Sequence, residues 1–83
     1  MSTIEKLINR MLKLPKDFTY DELIRVLSYY GFQLRNKGKT SGSRVEFINK
    51  NIKIKIHIPH PSRIIKIYQL KGIIQLLKEN KYL

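Results

Sequence analysis

His57, His60 and Arg44 are the residues of this chain whose chemistry could go beyond packing and solubility. An imidazole has an unperturbed pKa of about 6.5, so it can take up and release protons near neutral pH. A guanidinium stays charged there and cannot act as a base, but it can grip a phosphate through two parallel hydrogen bonds. The sequence has two histidines and no cysteine. It therefore has neither a disulfide nor a thiolate ligand, and its histidines have no acidic ligand at useful spacing, which argues against a zinc site. No paired carboxylates, Walker loop or dinucleotide fingerprint occurs. Ser41 and Ser43 lack the partners of a catalytic triad and read as loop hydrogen-bonding residues. What remains is proton transfer and cationic binding of an anionic group, with no cofactor implied.

Charge points the same way. Seventeen Lys and Arg against six Asp and Glu give a net charge of +11 on 83 residues. A field of that size concentrates polyanions and speeds their capture. RNA, DNA, an anionic membrane or an acidic protein would each respond to it. The plain alternative is that the charge serves solubility, and only the placement of the cations can decide between them. No 18-residue apolar run is present, so no membrane-spanning helix is expected. The N-terminus also lacks the charged head, apolar stretch and cleavage site of a signal peptide. A soluble, cytoplasmic protein is the resulting expectation. The length suits one domain over residues 1–83, with a helical extension at 1–15 and a core at 19–81. A chain this short buries only about 60% of the surface it exposes when unfolded.

The elements that must position these residues can be read from periodicity and capping. Ser2-Thr3-Ile4-Glu5 has capping-box spacing, and Ile4, Leu7, Ile8 and Met11 fall on one helical face. This predicts a helix over 3–12, with Pro15 beyond its end. Thr19-Tyr20-Asp21-Glu22 is a second capping box, and Phe18 with Leu23 has the spacing of a hydrophobic staple. A helix over 20–30 follows, with Leu23, Ile24, Leu27 and Tyr30 as its buried stripe and Gly31 as its stop. Phe32–Arg35, Arg44–Phe47 and Ile52–Ile58 alternate apolar and polar residues as half-buried strands do. A Gly-, Ser- and Lys-rich loop over 37–43 joins the first two strands, and Pro59-His60-Pro61 ends the third. A last helix is expected around 66–80, with Leu70, Ile73, Ile74 and Leu77 facing inward. Gly72 within it either permits close packing or is merely tolerated. Tyr20, Tyr30 and Tyr68 read as packing residues rather than base-stacking platforms.

Strand alternation assigns faces, and faces fix the register. Val45, Phe47, Ile54 and Ile56 point inward, and residues paired across a sheet must share a face. This pairs Phe47 with Ile54, Val45 with Ile56, Glu46 with Lys55 and Arg44 with His57. Arg44, Lys53, Lys55 and His57 then share the open face. The loop adds Lys37, Lys39, Ser41 and Ser43 at one end, where Gly38 and Gly42 could let backbone amides face a phosphate. The bland reading is an ordinary solvated sheet face whose lysines also discourage unwanted strand pairing.

The run Gly42-Ser43-Arg44-Val45-Glu46-Phe47, then Ile56-His57-Ile58-Pro59-His60 and a final helix, resembles the HicA toxin family over about residues 20–80. Tyr29-Tyr30-Gly31-Phe32 matches the end of that family's first helix, and Leu70 with Ile73-Ile74 matches its last. The resemblance implies an α+β fold like that of double-stranded-RNA-binding domains, α-β-β-β-α, here preceded by an extra helix. It implies a small ribonuclease acting on mRNA and a HicB-like antitoxin partner. It also places Arg44 where the family carries its catalytic histidine.

Three functions stay open on these residues. The first is a metal-independent endoribonuclease, with His57 transferring protons and Arg44 holding the scissile phosphate. Lys37, Lys39, Ser41, Ser43, Lys53, Lys55 and His60 would bind the RNA around them. The second is a module that binds RNA without cutting it, which needs only the basic face. The third is a protein-interaction partner whose basic face receives an acidic antitoxin.

Overall fold

The computed structural model describes residues 3–35, 44–57 and 63–83. The element order is α1 (Thr3–Leu12), α2 (Tyr20–Tyr29), β1 (Gln33–Arg35), β2 (Arg44–Asn49), β3 (Ile52–His57) and α3 (Ile67–Glu79). The three strands form one antiparallel sheet in the order β1-β2-β3. The expected α+β class is what forms, with helices packed on one face and, among the described residues, nothing covering the other. The Ser2 cap, the 37–43 loop, Ile58 and the Pro59–Pro61 break lie outside the described residues.

The helix stops and starts have local causes. At the start of α2 the Thr19 hydroxyl accepts from the Glu22 amide at 3.2 Å, while the Glu22 carboxylate accepts from the Thr19 amide at 2.9 Å. The capping box is thus complete, and the stapling pair Phe18 and Leu23 are both fully buried. At its end Gly31 takes φ +93. Its amide bonds to the Ser28 carbonyl at 3.0 Å and that of Phe32 to Leu27 at 2.9 Å. These are the two bonds of a Schellman motif, which favours glycine at this position. The end of α3 repeats the pattern, with Lys81 at φ 64, its amide on Lys78 and the Tyr82 amide on Leu77.

One continuous hydrophobic cluster gathers Leu7 and Met11 of α1, Leu23, Val26 and Leu27 of α2, Phe47, Ile54 and Ile56 of the sheet, and Leu70, Ile73, Ile74 and Leu77 of α3. The four residues expected on the inner stripe of α3 are all buried. On α2 the buried set is Tyr20, Leu23, Val26 and Leu27, so the stripe is rotated toward Val26. Tyr30 is the C-cap and only partly buried, stacked edge-on to Tyr29 and near Tyr82. Sequence periodicity misplaced it because a capping residue leaves the helical phase.

α1 is fastened to α2 by charge as well as by its apolar face. The Arg10 guanidinium reaches both Glu22 oxygens, at 3.0 and 3.1 Å, and Asp17 at 2.6 Å. The segment ahead of α3 is held to the start of α2 by backbone bonds, Ile65 amide to Phe18 carbonyl at 2.8 Å and Tyr20 amide to Arg63 carbonyl at 2.9 Å. This bridge between Thr19 and Ile64 buries Ile65 completely. Gly72 is not a close-packing residue: a Cβ built there would meet nothing within 4 Å.

Candidate functional site

The register of β2 and β3 decides which side chains share the uncovered face. The pairs are Arg44 with His57, Val45 with Ile56, Glu46 with Lys55, Phe47 with Ile54, Ile48 with Lys53 and Asn49 with Ile52. All four pairings expected from alternation form. β1 adds Arg35 opposite Glu46 and Gln33 opposite Ile48. The uncovered face is therefore three rows deep. Arg44 and His57 make the first, Arg35, Glu46 and Lys55 the second, Gln33, Ile48 and Lys53 the third. Lys53, Lys55 and His57 are exposed, while Ile54 and Ile56 between them are buried. Glu46, flanked by Arg35 and Lys55, is the lone acidic residue at these positions.

His57 is held from behind by a residue that periodicity does not flag. The carboxamide of Gln69 on α3 accepts from the His57 amide at 2.8 Å and donates to the His57 carbonyl at 2.7 Å. This pair of hydrogen bonds fixes the backbone of His57 at the end of β3. It also fixes the type of pair that His57 makes. Both its main-chain groups are turned to the free edge, so Arg44 and His57 form a non-hydrogen-bonded pair. Cα atoms in such pairs lie about 4.5 Å apart, closer than in the alternate kind. The same holds for Glu46 with Lys55 and Ile48 with Lys53, two residues further along. A glutamine on the solvent side of an amphipathic helix carries no sequence signal for this role; only its contact across the strand edge reveals it.

The other residues expected at the site divide cleanly. Lys53 and Lys55 stand on the same face as His57. Lys37, Lys39, Ser41, Ser43 and His60 lie outside the described residues, as does the side chain of Arg44, whose backbone position in β2 is defined. Tyr68, expected to pack, is 68% exposed on the first turn of α3. Tyr20 does pack: it is buried against Phe47, with the Arg63 guanidinium 5.1 Å above its ring. Burial raises its phenol pKa, partly offset by the Arg63 charge. Among the described residues no group of three His, Cys, Asp or Glu side chains is gathered as metal ligands would be. No helix of the described residues is long and apolar enough to cross a membrane.

The match with known families follows the same elements. The family model described as "HicA toxin of bacterial toxin-antitoxin" matches residues 20–79, from the first residue of α2 to the last of α3. α1 falls before the matched segment. No curated protein and no solved structure matches the chain significantly. The matched segment spans well over half of the 83 residues and contains the whole sheet with its basic face. The chain belongs to the HicA family, the toxins of bacterial toxin–antitoxin systems, and its partner is an antitoxin.

Proposed function

We propose that this toxin is a metal-independent endoribonuclease that cuts mRNA in the cytoplasm and is silenced by a HicB-like antitoxin. The observation that carries the reading is the pairing of Arg44 with His57 on the uncovered basic face. RNA supplies its own nucleophile. In the proposed reaction His57 takes the proton of a 2′-hydroxyl, and the 2′-oxygen attacks the adjacent phosphorus. The bond to the 5′-oxygen breaks, and the imidazolium returns its proton to that oxygen. The products are a 2′,3′-cyclic phosphate and a free 5′-hydroxyl. Arg44 stabilises the charge that builds on the phosphorane, a task suited to a permanently charged fork and not to a base. Lys53 and Lys55 hold flanking phosphates, and Lys37, Lys39, Ser41, Ser43 and His60 extend the contact.

A second reading rests on one specific substitution. Arg44 stands where the family carries its catalytic histidine, and a protein that lost that base could still bind RNA or antitoxin through the basic face. Incubating long, mostly single-stranded RNA with the protein in EDTA, beside His57→Ala, separates the two. Cleavage that the variant lacks supports the ribonuclease. Salt-dependent RNA binding without cleavage by either protein supports the binding module.

A further inference from the structure

The free edge of β3 opens into a groove. Because strand backbones alternate, Lys53 and Lys55 turn their amides and carbonyls to the same edge as His57. Those of His57 are taken by Gln69; those of Lys53 and Lys55 have no hydrogen-bond partner among the described residues. Beside them, between β3 and α3, lies a cavity of about 340 Å³ whose helix side is formed by Tyr68, Gln69, Gly72, Ile73 and Leu76. Gly72 leaves room there, with open space where its Cβ would stand. The Gln69 carboxamide presents to His57 the same donor and acceptor that a residue of a neighbouring strand would. It fills one position that a fourth strand would occupy, and among the described residues the next two positions are open.

We infer that this groove receives an extended, acidic segment of the antitoxin, which adds as a strand to the edge of β3 at Lys53 and Lys55. The inference rests on the antitoxin partner that membership of the toxin family brings, and it names the surface that partner uses. Strand addition draws affinity from main-chain bonds and selectivity from alternate side chains. Residues of the added strand that share the uncovered face fall beside the Lys53 and Lys55 ammonium groups, which favours Glu or Asp. Residues on the opposite side meet Tyr68, Leu76 and the space at Gly72, which favours small or branched apolar groups. The recognised segment is thus one of alternating acidic and apolar residues. A nucleic acid has no main-chain amides to match those of the edge, so the peptide is the better fit. The two lysines also guard an open edge against uncharged strands.

The probe is an acetylated, amidated heptapeptide of alternating glutamate and valine, titrated into the ¹⁵N-labelled full chain. The expected result is saturable shifts of the Lys53 and Lys55 amides and of α3 around Gly72. Methylating the backbone nitrogen of the central residue should weaken binding at least tenfold, because it removes a main-chain bond and leaves every charge in place. Gly72→Phe, which fills the groove from its open side, should do the same while the rest of the spectrum stays folded. Equal affinity of the N-methylated peptide, binding elsewhere, or no binding at millimolar peptide would overturn the proposal. A parallel titration with a short RNA keeps the two readings apart. RNA shifts centred on the outer-face residues around His57 leave the groove to the peptide. Shifts centred on Gly72 and the Lys53 and Lys55 edge amides would give the groove to RNA and overturn the inference. RNA that binds nowhere would remove the ribonuclease reading and leave the peptide result standing.

Discussion

Two glycines in this chain should respond in opposite directions to the same added methyl group. Gly72 lies inside α3, on its exposed side, and a Cβ there meets nothing within 4 Å. Glycine in a helix interior is less favourable than alanine by about 0.8–1.0 kcal/mol, and no clash subtracts from that gain. For a domain of this size, about 1 kcal/mol raises the melting temperature by roughly 4–8 °C. Gly31 is the opposite case. Its φ of +93 disfavours any Cβ, although the added atom would stand in ordinary contact, 3.4 Å from the Asn49 carboxamide nitrogen, so the backbone conformation alone carries the cost. That asparagine is itself committed, donating to the Tyr30 carbonyl at 3.0 Å and to the Tyr82 hydroxyl at 2.7 Å. Gly31→Ala should cost about 1 kcal/mol or more through the left-handed backbone alone. Thermal melts followed by circular dichroism at 222 nm test both variants in one buffer. A Gly72→Ala protein that melts at or below the parent temperature would refute the open space assigned to the groove. A neutral Gly31→Ala would refute the Schellman stop of α2.

Removing the cap hydroxyl of α2 with Thr19→Ala should cost about 1 kcal/mol, read as a lower urea midpoint at unchanged slope. A change in slope would mean that more than a cap was lost. The phenols of Tyr20 and Tyr30 are both raised above their ordinary value of 10.0, in each case chiefly by burial. The folded state therefore holds these protons more tightly than the unfolded state. The stability they contribute is intact below pH 10 and lost as pH rises from there through the folded values. Urea midpoints should fall across that window, and Tyr20→Phe should flatten the fall; an equal slope in the variant would refute the assignment.

The legible parts of this fold are those whose cause is local. The Thr19 capping box, the Gly31 stop and the alternation of Ile52 to His57 each depend on residues a few positions apart. The register of β2 and β3 was legible too, since a slip by one residue would have buried Glu46 and Lys55. The parts that were not legible depend on contacts between distant segments. Leu34 alternates as a core residue should, yet it is 45% exposed, because β1 is a short edge strand. Tyr68 looked like packing material, but it sits on the side of α3 turned to the groove. Gln69 has no periodic or compositional mark at all, and its bond to His57 spans 12 positions. The outer face followed from alternation, whereas the open edge beside it required the placement of α3.

Proton transfer by His57 in a metal-independent ribonuclease is decided by incubating the purified protein and His57→Ala with a long single-stranded RNA in EDTA, with fragment ends analysed. The expected result is cleavage by the parent protein, 2′,3′-cyclic phosphate ends, and loss of at least a hundredfold in rate in a variant that keeps the parent melting temperature. Cleavage undiminished in His57→Ala, or intact RNA with the parent protein, would refute that role for His57.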